Sequence, residues 1–151
     1  MTRERRTSSD LLPGEWACLG LLVERQSHGF ALSSELSPTG EIGRIWSLSR
    51  PLTYRTLLAA TRSGRSAFRT WVTTPVTHLR DLRSELLLKL TLARRCSIPI
   101  DDLVRHQRDT VDDIRRGLVS QMRSTPHDLV TMWRLRSAEA AVHFLDDLQT
   151  V

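Results

Sequence analysis

The segment "SRPLTYR", from Ser49 to Arg55, combines side chains that could bind a nucleic acid. Arg50 and Arg55 carry planar guanidinium groups, which can donate two parallel hydrogen bonds to a phosphate or to the edge of a guanine. Thr53 and Tyr54 add hydroxyl groups beside them. Periodicity alone also allows a plainer interpretation, in which these are solvated polar residues of an ordinary helical core.

A second constellation could support acid–base chemistry or bind a hard metal ion. Four residues at steps of four, three and four would share one helix face: Asp102, His106, Asp109 and Asp113. The residues interleaved with them are arginines that can neutralise the carboxylates: Arg105, Arg108, Arg115 and Arg116. We therefore expect a solvated face of ion pairs and no metal or catalytic site. The sequence also lacks a glycine-rich phosphate loop, a CxxC pair, an HExxH motif and a nucleophile motif, which predicts no enzyme and no cofactor.

The basic residues of the chain are almost all arginines, and they outnumber acidic residues mainly near its start. Lys89 is the only lysine among 22 Lys and Arg residues, and the formal net charge is +5. Residues 1–75 contain 10 arginines and 6 acidic residues, whereas residues 76–151 contain 12 basic and 11 acidic residues. Arginine suits phosphate and base recognition better than lysine does, so this distribution favours nucleic-acid binding by the first half. Codon usage in a GC-rich genome is the open alternative.

The sequence contains no run of about 18 apolar residues and no signal-type apolar segment after its basic start. We therefore expect a cytoplasmic protein that does not span a membrane. Cys18 and Cys96 are the two cysteines. Because a single pair of cysteines in a chain without a leader is more often reduced than bridged, we expect two packed thiols.

Three short helices separated by tight turns are predicted in the first part of the chain. The first lies in "LPGEWACLGLLVER", where four residues are spaced to cover one face: Trp16, Leu19, Leu22 and Val23. The second lies in "SHGFALSSELS", where Ser27 is a cap and three residues face inward: Phe30, Ala31 and Leu36. The third begins at Ser49, with Pro51 in its first turn. This is the arrangement of a helix-turn-helix, whose last helix presents polar side chains to the major groove.

The second half predicts three longer amphipathic helices, so the fold class is mainly α. Their apolar positions are, helix by helix, Leu79, Leu82, Leu86 and Leu90, then Val104, Val111 and Leu118, then Met132, Trp133, Ala141, Phe144 and Leu148. The seam of the middle helix is suited to a partner helix, and three such helices carry more apolar surface than they can bury alone, which predicts a homodimer. Trp133, Met132 and Arg134 could form the wall of an effector site between subunits, although a tryptophan at this spacing is more often a core residue.

Four segments together resemble the PadR family of bacterial transcriptional regulators. "EWACLGLLVERQSHGFALSSEL" is similar to the family's first two helices, and "GEIGRIWSLSRPLTYR" resembles the approach to its recognition helix. "TRSGRSAFRTWV" is similar to the segment that leaves the family's β-wing, where a Thr-x-x-Gly-Arg turn, here Thr61, Gly64 and Arg65, starts the next helix. "LRDLRSELLLKLTLARR" resembles the first helix of the family's C-terminal domain. The order and spacing of the four segments, which span nearly the whole chain, carry the resemblance.

The resemblance implies a winged helix-turn-helix, α with a short β-wing, in residues 1–75 and a helical dimerisation domain in residues 76–151. It also implies a homodimer that binds a palindromic operator in double-stranded DNA as a repressor, and some members of the family respond to small-molecule effectors.

The residues then expected to contact DNA form three groups. The start of the recognition helix provides base and phosphate contacts: Ser49, Arg50, Thr53, Tyr54 and Arg55. The turn into the second helix offers backbone amides to a phosphate: Ser27, His28 and Gly29. The base of the wing contributes two backbone-contacting arginines: Arg62 and Arg65.

The segment between Arg55 and Thr61 is too short for the family's wing. Only "TLLAA" lies there, whereas a hairpin with strands of about 5 to 6 residues, its turn and the end of the preceding helix need about twenty residues. "RTLLAATRSGR" is the best match to the second wing strand. Either the gene has lost the hairpin or the hairpin is missing from this sequence. We favour the second explanation, because disorder concentrates at loop tips and hairpins of DNA-binding surfaces. If the loss is real, the chain is instead a dimeric helical sensor or protein-interaction module with impaired DNA binding.

Overall fold

The computed structural model describes residues 11–25, 29–47 and 62–149. All regular secondary structure in those ranges is helical, so the described chain is mainly α, as the sequence predicts. The helices are α1 (Pro13–Glu24), α2 (Gly29–Glu35), α3 (Arg62–Thr73), α4 (Leu79–Asp81), a π-helical turn (Leu82–Leu86), α5 (Leu87–Arg95), α6 (Asp101–Ser124) and α7 (Leu129–Gln149). None of these helices is long and apolar enough to cross a lipid bilayer.

The described residues pack as two compact units that alternate along the chain. The first unit contains the residues up to Thr73 together with Leu87–Ile98, and the second contains Thr74–Leu86 and the residues from Pro99 onward. The sequence predicts a single boundary after residue 75, with α5 in the C-terminal domain. The structure instead groups α5 with the N-terminal residues, because α5 packs on α1 and α3.

The core of the first unit forms where α1, α3 and α5 meet. The fully buried apolar side chains of this unit include Leu32, Leu36, Ile42, Phe68, Val72, Leu88 and Leu92. Trp16 of α1 stacks on Trp71 of α3, with ring centroids 4.9 Å apart and planes inclined by 6°. The ammonium group of Lys89 on α5 lies 5.0 Å from the centroid of the Trp71 ring, so this buried lysine gains a cation–π contact. One aromatic cluster therefore joins all three helices.

Two predictions about burial in the first unit are wrong. The pattern of α2 predicts that Phe30 faces inward, but its side chain is 71% exposed, and Leu32 and Leu36 form the buried stripe. The pattern of α1 predicts one buried face, but residues 16–21 are buried in succession. The cause is that α1 contacts both α3 and α5, and Gly20 leaves room for them, since a β-carbon there would lie 2.8 Å from their side chains.

Residues 62–65 are helical and do not continue a wing strand. The segment "RTLLAATRSGR" matches the second wing strand, while the family resemblance places the start of the next helix at the turn of Thr61, Gly64 and Arg65, and α3 begins at Arg62. From this point the apolar residues Phe68, Trp71 and Val72 recur at helical spacing, and Phe68 and Val72 are fully buried, which favours the helix. The part of the predicted strand before residue 62 lies outside the described residues.

The second unit is built on the packing of α6 against α7. Val104, Val111 and Leu118 are buried, which confirms the predicted seven-residue seam of α6. The partner of α6 is α7 of the same chain, so the seam is covered without a second subunit. Gln107 is fully buried beside this seam, where its carbonyl accepts the Val76 N–H at 2.7 Å and its amide donates to the Val76 carbonyl at 2.9 Å. These two bonds hold the segment before α4 against α6.

α7 buries a different face from the predicted one. The pattern predicts five inward residues: Met132, Trp133, Ala141, Phe144 and Leu148. The buried residues are instead Thr131, Ala138, Val142 and Leu145, and the Trp133 side chain is 74% exposed. Two adjacent stripes of α7 have helical spacing, and the stripe that contains Ala138 and Val142 is the smaller in volume. Small residues allow two helices to approach closely, so this stripe packs against α6 and the bulky stripe faces outward.

Candidate nucleic-acid interface

Most side chains predicted to contact DNA lie outside the described residues: Ser27, His28, Ser49, Arg50, Thr53, Tyr54 and Arg55. Three of the predicted DNA-contacting residues fall within the described ranges. Gly29 is the first residue of α2, and Arg62 is the first residue of α3. Arg65 lies one turn further along α3, on its exposed side. The described part of the candidate interface therefore centres on α3.

The exposed face of α3 consists of arginines and hydroxyl residues. Arg65, Ser66, Arg69, Thr70 and Thr73 are exposed, and the helix sequence "RSGRSAFRTWVT" contains no acidic residue. Neither Arg65 nor Arg69 forms an ion pair with a described residue. The hydroxyl groups of Thr70 and Thr73 donate to backbone carbonyls one turn earlier. Among the described side chains of this face, the donors that remain for a ligand are the two guanidinium groups and the Ser66 hydroxyl.

Arg95, in the last turn of α5, gathers three carboxylates of the same unit. Its Nε donates to Glu24 at 2.8 Å, and its Nη1 donates to Glu35 at 3.0 Å and to Glu41 at 3.1 Å. The hydrogen bond with Glu35 is the main reason that the pKa of Arg95 lies above its ordinary value. The carboxylate of Glu15 accepts a backbone N–H at the start of α1, at 2.8 Å. The described carboxylates of the first unit are thus engaged within that unit.

The two units differ in charge more sharply than the two halves of the sequence do. The sequence of the first unit, residues 1–73 and 87–98, contains 13 Lys and Arg against 6 Asp and Glu, a net charge of +7. The sequence of the second unit, residues 74–86 and 99–151, contains 9 basic against 11 acidic residues, a net charge of −2. The basic excess of the chain therefore belongs entirely to one unit, and such an excess attracts polyanions.

In the second unit, many arginines pair with an acidic residue on the same helix. Nitrogen to oxygen distances are 2.5 Å from Arg105 to Asp102, 2.8 Å from Arg115 to Asp112 and 2.8 Å from Arg136 to Glu139. The guanidinium of Arg115 holds the pKa of the Asp112 carboxyl below its ordinary value. These three arginines are neutralised by a neighbour on their own helix, whereas no described residue pairs with Arg65 or Arg69 of α3.

The acidic and histidine residues considered for catalysis are all exposed on α6: Asp102, His106, Asp109 and Asp113. Asp102 pairs with Arg105 and Asp113 pairs with Arg116, which is the face of ion pairs expected from the interleaved arginines. The described residues contain no group of three or more His, Cys, Asp or Glu side chains that could hold a metal ion. The absence of an enzymatic activity stays a prediction.

An open groove of about 590 Å³ lies on the second unit, a volume within the usual range for small-molecule sites. It is lined by Thr77, His78, Leu79, Arg80, Ile114, Trp133, Arg134 and Ser137. Two of the three residues predicted for an effector site, Trp133 and Arg134, line this groove, and Met132 does not. An aromatic wall beside an arginine and a histidine could bind a planar ligand that accepts hydrogen bonds.

The outward side of α7 exposes an apolar stripe. Val130, Trp133 and Phe144 are 65%, 74% and 40% exposed, and their spacing places them on one side of the helix. Large exposed apolar residues that share a face commonly mark an interaction site. Trp133 belongs both to this stripe and to the groove.

Sequence reasoning missed Arg69 as a candidate contact. The available signal was its position four residues after Arg65 in a segment without acidic residues. That signal became visible as a basic face only once both residues were known to lie on one exposed side of a helix.

Comparisons of the chain with protein-family models, curated proteins and solved structures found no match. The PadR resemblance therefore stays a prediction from the four segments that carry it.

Proposed function

We propose that this chain is a DNA-binding transcriptional regulator of the PadR type, which acts as a homodimeric repressor on a palindromic operator. The observation that carries the proposal is the charge of the first unit, +7 against −2 for the second. The described glutamates of the first unit are engaged internally, so Arg65 and Arg69 are exposed and have no neutralising partner among the described residues. A unit of this charge has the electrostatics that non-specific and specific DNA binding both require.

In this proposal residues 1–75 contain a helix-turn-helix of the winged type, with most of the wing hairpin absent from the sequence, and its recognition helix begins at Ser49. Arg50 and Arg55 read guanine edges, because a guanidinium donates two hydrogen bonds to O6 and N7 in the major groove. The other predicted contacts hold the phosphate backbone and set the register of the protein on the duplex: Ser27, His28, Gly29, Arg62 and Arg65.

The proposed dimer forms through the outward stripe of α7. A second copy that covers Val130, Trp133 and Phe144 would remove apolar surface from water, which contributes about 25 cal/mol for each Å² buried. A pair of subunits related by a two-fold axis repeats the recognition helix in the symmetry of a palindrome. The prediction of a homodimer thus has a candidate surface.

The groove beside Trp133 is the proposed effector site. Because Trp133 lies both in the groove and on the α7 stripe, a ligand that displaced its indole ring would also disturb the proposed dimer contact. Coupling between an effector and DNA binding requires such a shared element.

The test is DNA binding by the purified protein as salt is varied. A labelled duplex from the promoter region of its own gene should bind, and the affinity should fall steeply between about 50 and 200 mM salt. In a plot of the logarithm of the affinity against the logarithm of the salt concentration, each phosphate contact adds about −0.9 to the slope (the log–log slope). Arg55→Ala should abolish specific binding, whereas Arg105→Ala, which removes an ion-paired arginine of α6, should leave it unchanged. No binding at the lowest salt, or equal binding by both variants, would overturn the proposal.

A dimeric helical sensor or protein-interaction module is the second candidate function. The short segment "TLLAA" between Arg55 and Thr61, which leaves no room for a wing hairpin, favours it. This candidate predicts weak DNA binding that is indifferent to sequence and changes little in Arg55→Ala. The same titration therefore separates the two functions.

A further inference from the structure

We propose that the exposed face of α3 is a phosphate-binding strip that extends the DNA contact beyond the recognition segment. This α3 strip consists of Arg65, Ser66 and Arg69, and its ligand is the phosphate backbone of double-stranded DNA. The inference rests on the proposed DNA-binding function. The inference adds Ser66 and Arg69, which no sequence motif indicates, to the residues proposed to contact DNA. These two residues would increase the affinity for DNA but would not recognise its bases.

Helical geometry places the donors of the strip close together. Arg65 and Arg69 are separated by four residues, about 6 Å along the helix axis, and both are exposed on the same side. Ser66 adds a hydroxyl next to them. A guanidinium donates two hydrogen bonds to one phosphate, so the pair can bind neighbouring phosphates along one strand. Contacts of this kind position a protein on a duplex and carry no sequence information directly.

No described residue forms an ion pair that would offset the charge repulsion between Arg65 and Arg69. Two like charges at this spacing destabilise a helix, and α3 contains no acidic residue to offset them. On α6 and α7, by contrast, three arginines have an acidic partner three residues away: Arg105, Arg115 and Arg136. Several arginines of α6 and α7 are thus neutralised within their own helix, whereas the described residues provide no such partner for Arg65 or Arg69.

The composition of this face favours DNA over an acidic protein partner. The exposed positions of α3 are arginine, serine or threonine, and its large apolar residues Phe68 and Val72 are fully buried. A protein-docking surface needs apolar or aromatic residues at its centre, and the α3 strip offers none. A phosphate backbone needs only positive charge and hydrogen-bond donors.

The experiment measures the salt dependence of binding to two duplexes, the promoter region and a scrambled duplex of the same length and composition. Arg65→Ala and Arg69→Ala should each reduce the log–log slope by about 0.9 on both duplexes. The ratio of the affinity at about 50 mM salt to the affinity at about 200 mM salt should then be about 3.5-fold smaller for each variant than for the wild type. The ratio of the affinities for the two duplexes should stay as in the wild type, because the strip contacts no bases.

Two further variants control for charge and for folding. Arg123→Ala removes an exposed arginine of α6 that forms no ion pair with a described residue, and it should leave the slope unchanged. Arg69→Lys keeps the positive charge and should keep most of the wild-type slope, whereas Arg69→Gln keeps a long side chain, removes the charge and should lower the slope by about 0.9. Arg69→Gln therefore keeps the proposal testable even if an alanine variant unfolds. Circular dichroism of each variant reports whether it is folded.

The outcomes distinguish this inference from the proposed function. Suppose that the wild type binds the promoter duplex but that Arg65→Ala and Arg69→Ala have the same slope as the wild type and as Arg123→Ala. The assignment of the α3 strip is then wrong, and the regulator proposal stands. A change in the ratio between the two duplexes would contradict a backbone contact. If the wild type binds neither duplex, both proposals fail.

Discussion

Replacing Arg95 with alanine should destabilise the first unit more than the loss of an ordinary surface ion pair. Glu24 is the last residue of α1 and Glu35 is the last residue of α2. A carboxylate at the C-terminal end of a helix is unfavourable, because the helix dipole is negative there. Arg95 donates to both carboxylates and to Glu41, so it neutralises two helix ends and the turn that follows α2.

The size of this effect follows from the exposure of each partner. The side chains of Arg95, Glu24 and Glu35 are 15%, 21% and 26% exposed, so these two bonds are largely shielded from water. A hydrogen bond to a charged group contributes at least about 1.5 kcal/mol when it is shielded in this way. Glu41 is 55% exposed, and a bond of that kind contributes about 0.5 kcal/mol or less. Arg95→Ala should therefore lower the free energy of unfolding by about 3 kcal/mol, out of about 5–15 kcal/mol for a typical domain.

Urea unfolding followed by tryptophan fluorescence is a suitable assay, because Trp16 and Trp71 stack within the same unit as the Arg95 contacts. Arg105→Ala is the matched control, since it removes an arginine with one exposed partner on α6 and should cost less than about 0.5 kcal/mol. Arg95→Lys should restore only part of the stability, because an ammonium group cannot reproduce the planar set of donors. If Arg95→Ala costs no more than Arg105→Ala, the electrostatic account of this cluster is refuted.

Three further predictions concern other sites in the described chain. A β-carbon at Gly43 would lie 1.7 Å from a backbone carbonyl oxygen, so Gly43→Ala should lower the free energy of unfolding by about 2 kcal/mol. A β-carbon at Gly117, on α6, would have no atom within 4 Å, so Gly117→Ala should raise the free energy of unfolding by up to about 1 kcal/mol. Urea unfolding of both variants tests this, and equal effects would contradict the steric argument. Hydrogen bonds from Thr131 hold the pKa of Asp128 below its ordinary value. The stability that ionised Asp128 contributes at the start of α7 is therefore complete above about pH 4 and is lost as the pH falls through the lowered pKa. Asp128→Ala should therefore lower the melting temperature near pH 7 but not near about pH 2. Burial raises the pKa of the Cys96 thiol, so near neutral pH it should react with a thiol reagent more slowly in the native protein than in urea.

Local patterns predict some elements of this chain well. Pro13 and the apolar run after it predict α1, and the seven-residue repeat of Val104, Val111 and Leu118 predicts both α6 and its buried seam. These predictions succeed because helix boundaries and one-sided burial depend on residues within a few turns of each other.

Features that depend on distant residues could not be predicted in this way. The partners of Arg95 lie 54 to 71 positions away along the chain, and no local spacing connects them. α5 belongs to the first unit because of its packing on α1 and α3, which its own amphipathic pattern does not specify. On α7 the pattern contains two stripes, and only the packing against α6 selects the one that contains Ala138 over the one that contains Trp133.

The measurement that tests the central claim most directly is the mass of the protein–DNA complex at equilibrium in the analytical ultracentrifuge. Each chain has a mass of 17.2 kDa, so the number of chains on a duplex can be read from the mass of the complex. The proposal predicts two chains on one promoter duplex and a dimer in the free protein at micromolar concentration. A free protein that stays monomeric, or sediments separately from the duplex at low salt, would contradict the claim that paired basic units bind DNA.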